Sequence, residues 1–357
     1  MRIAILHTRL SPYFASCFKL LREQGHELVL HVYPSDTNAP FDPEEFGDMG
    51  PIYNGRASSE DEIHQKLTEF NPEAILVSGW IDRSYLRICK RFKKDGVPVV
   101  AGCDTQWSGS LRQRIACLIS KLYLKPAIDI LWVPGKPQQI LAERLGYRGD
   151  ACWTGLYACD WKRFASSRNA GEKATYQPRH LYESPYFLFV GRYLEIKGIP
   201  TLLEAYSRYC EQVDSPWNLV CAGTGPLDSR INCSNATNAG FIQPSDLPEI
   251  MVEANCFILP SQYEPWGVVL QEAAASGLPL ICSKACGSGH HLIEQEVNGL
   301  RFTPGNIQEL TDSMVWIHKT PTHALARMAD RSFELSKQYT PEIWAQTLIK
   351  GIGRLSK

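Results

Sequence analysis

The chain has 357 residues, which predicts two domains at the usual ~150 residues each. Apolar residues make up 44% and charged residues 21%, which excludes a disordered or fibrous protein. The formal net charge of −1 lacks the positive excess typical of nucleic-acid-binding proteins. No apolar run approaches the ~20 residues of a membrane-spanning helix, and the 12 cysteines include no Cys-x-x-Cys pair. We therefore expect a two-domain cytoplasmic protein without nucleic-acid partners.

Short apolar runs alternate with helical patterns along the first half of the chain. Strands are predicted over 2–7, 27–33, 74–78, 97–101 and 128–133. Helices are predicted over 10–21, 60–70, 83–94, 110–124 and 136–145. This alternation is typical of βα units on a parallel sheet, so residues 1–165 are predicted to form a first α/β domain.

The alternation restarts after a polar stretch over 166–185, which we interpret as a linker. Strands are predicted over 186–190, 218–222, 256–259 and 278–283, with helices over 201–212, 247–253, 267–276, 307–318 and 323–337. The second α/β domain then spans 186–339, and one more helix, within 340–357, follows it. Ligands bind beyond the carboxyl ends of parallel strands, so we expect the site in a cleft between the two domains.

Two acids flank a predicted strand–turn–helix junction in the second half. Glu264 lies in the turn after the strand, and Glu272 lies on an apolar helix that begins near Gly267. If most of the eight intervening residues are helical, the backbone advances ~12 Å, about the length of a nucleotide diphosphate sugar. The backbone N–H groups of Gly267, Val268 and Val269 would bind phosphate between the acids. The pattern also fits a helix cap at Glu264 and a salt-bridged core acid at Glu272.

Two further strand ends carry residues suited to a phosphate ligand. Arg192 and Lys197 follow the strand that ends before Gly191, and two cations there can hold a diphosphate. The stretch Ala-Gly-Thr-Gly-Pro over 222–226 follows the next strand and lets backbone approach a ligand closely. Solvated loop cations and an ordinary glycine turn are the alternative interpretation of these two segments.

Taken together in this order, the segments over 186–302 resemble the retaining nucleotide-sugar glycosyltransferases of the GT-B fold, family 4 type. The resemblance rests on Glu-x7-Glu, on Gly-Arg with a later Lys-Gly, on Ala-Gly-x-Gly-Pro and on a late Asn-Gly-Leu. It implies two Rossmann-like α/β/α domains that face each other across a cleft, with the C-terminal helix crossing back to the first domain. The first domain would bind the acceptor and the second the nucleotide-sugar donor.

The resemblance also implies roles for single residues. Arg192 and Lys197 would neutralise the leaving diphosphate, Glu264 would contact hydroxyls of the donor sugar, and Glu272 would hold the ribose. The remaining donor-binding candidates are Gly191, Gly223, Thr224, Gly225, Phe241, Ile242, Gly267, Val268 and Val269. Trp266 stands where the family usually has Phe.

The expected reaction is transfer of a sugar, with retention, from a nucleotide diphosphate sugar to a sugar, glycolipid or polysaccharide acceptor. A UDP- or GDP-linked donor is expected as substrate, with no cofactor. The sequence contains no Asp-x-Asp, so a metal-bound diphosphate has no support and no metal is expected. His290 and His291 lack further residues at metal-ligand spacing and are interpreted as loop residues.

The N-terminal half departs from the family pattern. The loop after the first strand has no glycine, and Asp104 follows the strand after which the family often has His. Asp104 would orient the acceptor hydroxyl or stabilise positive charge, unless it is only a turn acid. The other acceptor-side candidates are His7, Ser11 and Tyr13.

Residues 83–125 hold ten Lys and Arg against two Asp, a local charge of +8. A basic, partly apolar face could rest on anionic lipid, which predicts peripheral contact with a membrane through this region. Solvated faces of two ordinary helices explain the same composition. Two other functions share the donor site: a GT-B epimerase, which needs no acceptor, and a non-catalytic nucleotide-sugar-binding scaffold protein.

Overall fold

A computed structural model of the protein describes residues 1–33, 41–173 and 185–355. The chain divides into two compact units. The first contains Met1–Ala158 together with Pro341–Lys357, and the second contains Cys159–Thr340. Each unit is built around its own parallel sheet.

The first unit has a seven-stranded sheet in the order β3-β2-β1-β4-β5-β6-β7. Its strands are β1 (Arg2–His7), β2 (Glu27–Val32), β3 (Ile52–Asn54), β4 (Ala74–Val77), β5 (Val99–Gly102), β6 (Ile130–Val133) and β7 (Cys152–Thr154). Helices of this unit include α1 (Pro12–Glu23), α2 (Glu60–Phe70), α3 (Arg83–Lys94), α4 (Leu111–Tyr123) and α5 (Lys136–Arg144).

Each face of this sheet has its own apolar core. Along β1, Ile3 and Ile5 pack on one side, while Ala4 and Leu6 pack on the other. A strand buried on both faces reads as a continuous apolar run, which is why the sequence predicts β1. Helix α2 begins with a reciprocal capping box at Ser59, whose hydroxyl accepts from the backbone N–H at the third helical position.

The second unit has a six-stranded sheet in the order β10-β9-β8-β11-β12-β13. Its strands are β8 (Tyr186–Val190), β9 (Asn218–Ala222), β10 (Ala236–Gly240), β11 (Cys256–Leu259), β12 (Leu280–Ser283) and β13 (Gly299–Phe302). Its helices include α6 (Trp161–Lys173), α7 (Ile199–Gln212), α8 (Leu247–Glu253), α9 (Val268–Ala275), α10 (Gly289–Leu292), α11 (Ile307–Lys319) and α12 (Thr322–Ser336).

The predicted linker over 166–185 is wrong for residues 166–173, which continue helix α6; residues 174–184 lie outside the described residues. The units divide between Ala158 and Cys159, before the predicted end of the first domain at 165. Helix α6 contacts α8 and α9 and buries Phe164 and Ala165. The sequence did not reveal this helix because most of its other side chains are polar.

The final helix, α13 (Pro341–Leu355), belongs to the first unit and packs against α1. Trp344 is buried there, and its indole N–H donates to the carbonyl of Leu156 at 2.8 Å. The ring stacks on Trp132, with 4.9 Å between the ring centroids. The prediction that the last helix crosses back to the first domain is therefore confirmed.

Candidate functional site

The strands of the second sheet are parallel, so the loops that follow β8, β9, β10 and β11 lie at one edge. Tyr193, in the loop after β8, forms hydrogen bonds with β9, with β10 and with the loop after β9. Its buried hydroxyl lies 2.7 Å from the carbonyl of Cys221 and 3.0 Å from Oδ1 of Asn238. The backbone N–H of Tyr193 donates to the carbonyl of Thr224 at 2.9 Å. The Gly-Arg loop and the Gly-Thr-Gly loop are thus one packed structure.

Two glycines are required because backbones meet closely at this edge. A Cβ on Gly223, whose φ is +152°, would lie 1.9 Å from the carbonyl oxygen of Gly191. A Cβ on Gly198, at φ +77°, would lie 2.1 Å from the carbonyl oxygen of Pro260. Any side chain would separate these loops, so the glycines set the shape of the edge.

Lys197 and Glu264 form an ion pair across this edge. The lysine Nζ lies 2.5 Å from Oε2 of Glu264, and Ser261 donates to the same oxygen at 3.2 Å. Only 10% of the Glu264 side chain and 21% of the Lys197 side chain are exposed. A carboxylate so far removed from water needs this pairing. The loop after β8 and the loop after β11 are therefore joined by charge as well as by backbone contact.

Arg192 is exposed on the same loop. Its guanidinium has no hydrogen-bond or ion-pair partner in the parts of the chain that the structure describes. Its five donors are therefore available to an anion, and a guanidinium matches phosphate oxygens in a planar fork.

The turn before α9 leaves backbone donors open. Gly267 has φ +91°, and the hydroxyl of Ser288 donates to the carbonyl of Trp266 at 2.7 Å, which holds the turn. Within the described ranges, the backbone N–H groups of Gly267, Val268 and Val269 donate to no acceptor. Three open N–H groups at the positive end of a helix form an anion-binding position.

The expected helical path from Glu264 to Glu272 is only partly present. Helix α9 begins at Val268, so the first half of the interval is a turn rather than helix. The ~12 Å estimate, which assumed mostly helix, therefore does not apply to this interval. Both acids are nevertheless on the segment that carries the open N–H groups.

Glu272 is partly buried, and its carboxylate has no hydrogen bond within the described residues. Burial is the main cause that raises the pKa of Glu272 to about 7, the negative charge of Asp160 raises it further, and the positive charge of Arg163 opposes the shift. Asp160 and Arg163 lie at the beginning of α6. The carboxyl group therefore changes its charge near neutral pH.

This raised pKa makes the stability of the second unit depend on pH. Because the folded state favours the neutral acid, the free energy of unfolding should fall as pH rises from about 4.5 to about 7. Glu272→Gln stays neutral, so it should be more stable than the wild type by roughly 1–3 kcal/mol at pH 8, and equally stable at pH 4. Urea unfolding at the two pH values measures this. Glu249→Gln, on exposed α8 surface, is the control, and a difference independent of pH would contradict the prediction.

The other predicted donor residues fall at the same edge. Thr224 and Gly225 lie in the loop after β9, and Phe241 and Ile242 follow β10, the neighbour of β9. Both hydrophobic side chains are half-buried. Their positions suit contact with a flat group beside the Gly-Thr-Gly loop.

Trp266 packs in the interior, and the interpretation of His290 and His291 as loop residues is wrong, since both lie in the short helix α10. Trp266 is buried, with ring centroids 5.5 Å from His291 and 5.6 Å from Tyr339. His290 lies 3.2 Å from a guanidinium nitrogen of Arg301. In the part of the chain that the structure describes, no group of three His, Cys, Asp or Glu side chains could hold a metal ion.

The first unit gathers most of the acceptor-side candidates around a tyrosine that sequence reasoning missed. The Tyr157 hydroxyl donates to Asp104 at 3.0 Å, and its ring lies 5.5 Å from that of Tyr13. Phe14 extends this cluster, with ring centroids 5.6 Å from Tyr157 and 5.1 Å from His7. His7, Tyr13 and Asp104 are therefore brought together.

Ser11 is the residue before α1 and makes no side-chain capping hydrogen bond. Burial lowers the pKa of His7 to about 4, opposed by the hydrogen bond from the backbone N–H of Arg9 to Nδ1 at 3.2 Å. The imidazole is therefore neutral at physiological pH, and because Nδ1 accepts from Arg9, Nε2 carries the hydrogen and can donate to a hydroxyl group.

Sequence reasoning also missed Tyr193, Ser261 and Ser288, which hold the loops of the second sheet in place. The feature that could have pointed to them is a polar or aromatic residue within a few positions of the carboxyl end of a buried strand. That feature identifies a supporting residue only after the strands are known to be neighbours.

Comparison with known proteins agrees with this geometry. Residues 173–333 match the family described as glycosyl transferases group 1. An uncharacterized glycosyltransferase of Methanocaldococcus jannaschii is 33% identical over 137 residues, which are 36% of this chain and 33% of that protein. The O-antigen chain mannosyltransferase C of Escherichia coli is 29% identical over 161 residues, 42% of each chain. The chain thus spans less than half the length of these relatives.

Among solved structures, Anabaena HepE in complex with UDP superposes with a TM-score of 0.78 at 17% identity, over 99% of this chain and 100% of that chain. At this identity the superposition establishes the fold alone. The family match covers the loops that carry Arg192, Lys197, Glu264 and Glu272. Residues 173–333 therefore match the glycosyl transferases group 1 family, and the chain has the GT-B fold.

Proposed function

We propose that the protein is a retaining glycosyltransferase that moves a sugar from a nucleotide diphosphate sugar to a sugar, glycolipid or polysaccharide acceptor. One observation carries the proposal: the unpartnered guanidinium of Arg192 and three open N–H groups at the start of α9 lie on loops of one sheet edge. Both are donors without acceptors, and a diphosphate is an acceptor with two charged groups.

The reaction breaks the bond between the sugar's anomeric carbon and the phosphate oxygen. Negative charge develops on the diphosphate while the sugar gains oxocarbenium character. Arg192, Lys197 and the helix N–H groups would stabilise the charge on the leaving group. With retention, the acceptor hydroxyl attacks from the face that the diphosphate leaves, so the departing phosphate oxygen can take its proton.

The ion pair of Lys197 and Glu264 gives both residues a role in one step. Glu264 would hold hydroxyl groups of the donor sugar while it orients the lysine. When the leaving group gains charge, the lysine ammonium is already positioned beside it, which avoids reorganisation during the reaction.

The nucleoside would be held by Glu272 and the half-buried pair Phe241 and Ile242. With a pKa of about 7, Glu272 can accept from a ribose hydroxyl as a carboxylate or donate to it as an acid. We propose a UDP- or GDP-linked donor, and UDP is the first to test because the similar Anabaena structure contains UDP.

We propose that transfer needs no metal ion or cofactor, because the cations and the helix N–H groups supply positive charge at the leaving group. In the presence of EDTA, activity should be unchanged. Complete loss of activity that Mn²⁺ or Mg²⁺ restores would contradict this part of the proposal.

On the acceptor side, Asp104 would orient the attacking hydroxyl group, with His7, Ser11 and Tyr13 around it. Tyr157 positions Asp104 through its hydrogen bond of 3.0 Å. The name of the Escherichia coli relative supports a place in polysaccharide or glycolipid biosynthesis.

The donor site is tested by thermal unfolding with UDP-, GDP-, ADP- and CMP-sugars in the presence of EDTA. A ligand at 100 times its Kd adds about 2.7 kcal/mol to the free energy of unfolding, so one nucleotide class should raise the Tm by several degrees. Glu272→Ala should lose most of this rise, and Glu249→Ala should keep it. No stabilisation of the wild type by any of the four classes would contradict the donor site.

Product analysis then separates the proposed transferase from the two alternatives. Conversion of the donor without an acceptor, to an isomeric nucleotide sugar, would identify an epimerase. Binding without turnover against a broad set of acceptors would identify a scaffold protein.

A further inference from the structure

Helix α4 in the first unit exposes a stripe of large apolar side chains. Leu111, Leu118 and Leu122 are 73%, 81% and 84% exposed, and Ile115 and Ile119 are about half exposed. These positions recur at helical spacing, so they line one side of the helix. Exposing five adjacent large aliphatic side chains to water is unfavourable in free energy, and the surface helices of soluble proteins ordinarily avoid it.

The opposite side of α4 holds the helix to the protein. Ser120 is the one residue of the helix that is fully buried, and its hydroxyl donates to the carbonyl of Leu145 at 2.9 Å. Leu124, just after the helix, joins the core of the first unit. The orientation of α4 is therefore set by its buried side, and the apolar stripe faces outward.

Positive charges flank the stripe. Arg112 and Lys121 are exposed on α4 and have no ion-pair partner in the described ranges. Arg114 is also exposed, and its Nε donates to the carbonyl of Gly109 at 3.0 Å. No Asp or Glu occurs between residues 104 and 129. The surface of α4 is thus apolar at its centre and cationic at its margins.

The rest of the basic region is less cationic than its composition suggests. On α3, Arg87 and Arg91 pair with Glu60, and Arg91 also pairs with Asp61. Lys93 lies 2.7 Å from Asp129. These pairs neutralise much of the positive charge of α3, so the cations of the 83–125 region that have no acidic partner include those of α4.

We propose that α4 is an interfacial helix that docks the protein on an anionic lipid bilayer. The stripe would enter the boundary between headgroups and acyl chains while Arg112, Arg114 and Lys121 contact lipid phosphates. In the described residues, no helix is long and apolar enough to cross a membrane.

The charges on α4 favour an anionic bilayer over a second copy of the chain as the partner of the apolar stripe. If two copies packed through α4, the cationic margins of one helix would face those of the other, with no acid on either helix to pair with them. An anionic headgroup layer complements both the apolar stripe and its margins.

The docked helix is connected to an acceptor-side residue. Gln113, in the first turn of α4, bonds the carbonyl of Gln106 at 2.7 Å and accepts from the N–H of Ser108 at 2.7 Å. This loop begins directly after Asp104. The position favours a glycolipid among the acceptors, a consequence that rests on the proposed function, whereas bilayer docking itself does not.

Flotation of the full chain with vesicles tests the docking. Wild type should float at low salt with vesicles that contain phosphatidylglycerol, and much less with pure phosphatidylcholine. Arg112→Gln with Lys121→Gln should weaken partitioning about 10- to 30-fold. Leu118→Gln with Leu122→Gln should weaken it at least about tenfold.

Matched controls use exposed residues elsewhere. Lys90→Gln with Lys94→Gln removes two exposed cations of α3, and Ile140→Gln with Val297→Gln removes two exposed aliphatic side chains; both should float like wild type. No flotation of wild type with anionic vesicles, or equal losses in the controls, would overturn the proposal. A second outcome would also overturn it. In that outcome, wild type sediments as a dimer and does not bind vesicles, and the double variant Leu118→Gln with Leu122→Gln is a monomer.

Discussion

Replacing Arg192 or Lys197 by Ala should lower kcat about 10²- to 10³-fold, with a smaller change in KM. In the proposed reaction, the charge that these residues would stabilise grows only as the glycosyl–phosphate bond breaks. Initial rates with the donor identified by thermal unfolding measure the effect. Arg208→Ala is the matched control, since this half-buried cation on α7 of the same unit pairs only locally with Glu204.

The alanine variants of Arg192 and Lys197 should differ in their free energy of unfolding, even though both should lose activity. Arg192 is exposed, so its removal should leave the free energy of unfolding unchanged. Removal of Lys197 leaves the buried Glu264 carboxylate without its cation and should cost about 1–3 kcal/mol. Adding Glu264→Gln to Lys197→Ala should recover stability without recovering turnover. Wild-type kcat in a folded double variant of Arg192 and Lys197 would remove the proposed role of both.

Trp344→Ala should destabilise the first unit by about 3–5 kcal/mol. The indole is buried between α1 and the sheet, stacks on Trp132, contacts Phe18 and donates to Leu156. Its removal leaves a large cavity and an unpaired carbonyl group. Urea unfolding followed by far-UV circular dichroism should show a transition of the first unit at lower denaturant concentration.

The neighbouring residue provides the control. Ile343 precedes Trp344 on the same helix and is 42% exposed, so Ile343→Ala should change stability by less than about 0.5 kcal/mol. Trp344→Phe keeps most of the ring contacts but loses the indole N–H. Its free energy of unfolding should therefore lie between those of Trp344→Ala and Ile343→Ala. Equal stability of the two alanine variants would mean that α13 contributes no packing to the first unit.

The strands that the sequence predicted and those it missed differ in their place in the sheets. The missed strands are β3, β7, β10 and β13, which are the two edge strands of each sheet. The backbone of an edge strand is paired on one side only. No residue of β3, β7 or β10 is fully buried, and β13 contains Gly and Arg, so none of the four shows a long apolar run. Their pairing depends on a neighbouring strand that local sequence does not reveal.

The candidate site also has features that the sequence predicted and features that it did not. The residue types that follow the buried strands, among them Arg192, Lys197 and Glu264, are readable along the chain because buried strands have a strong local signal. The contacts between these residues could not be predicted from the sequence. Lys197 and Glu264 are 67 positions apart and meet only because β8 and β11 are neighbours. The same holds for Asp104 and Tyr157, which are 53 positions apart.

The sequence by itself determined the two α/β halves and the residue types that follow the buried strands of the second sheet, because burial and helical periodicity act on local segments. The return of the last helix to the first unit was implied by the family resemblance and not by any local pattern. The tertiary structure alone decided the ion pair of Lys197 and Glu264, the raised pKa of Glu272 beside Asp160, and the outward direction of the apolar stripe on α4. These properties depend on distances and burial between segments far apart in the chain, and only the packed fold sets those quantities.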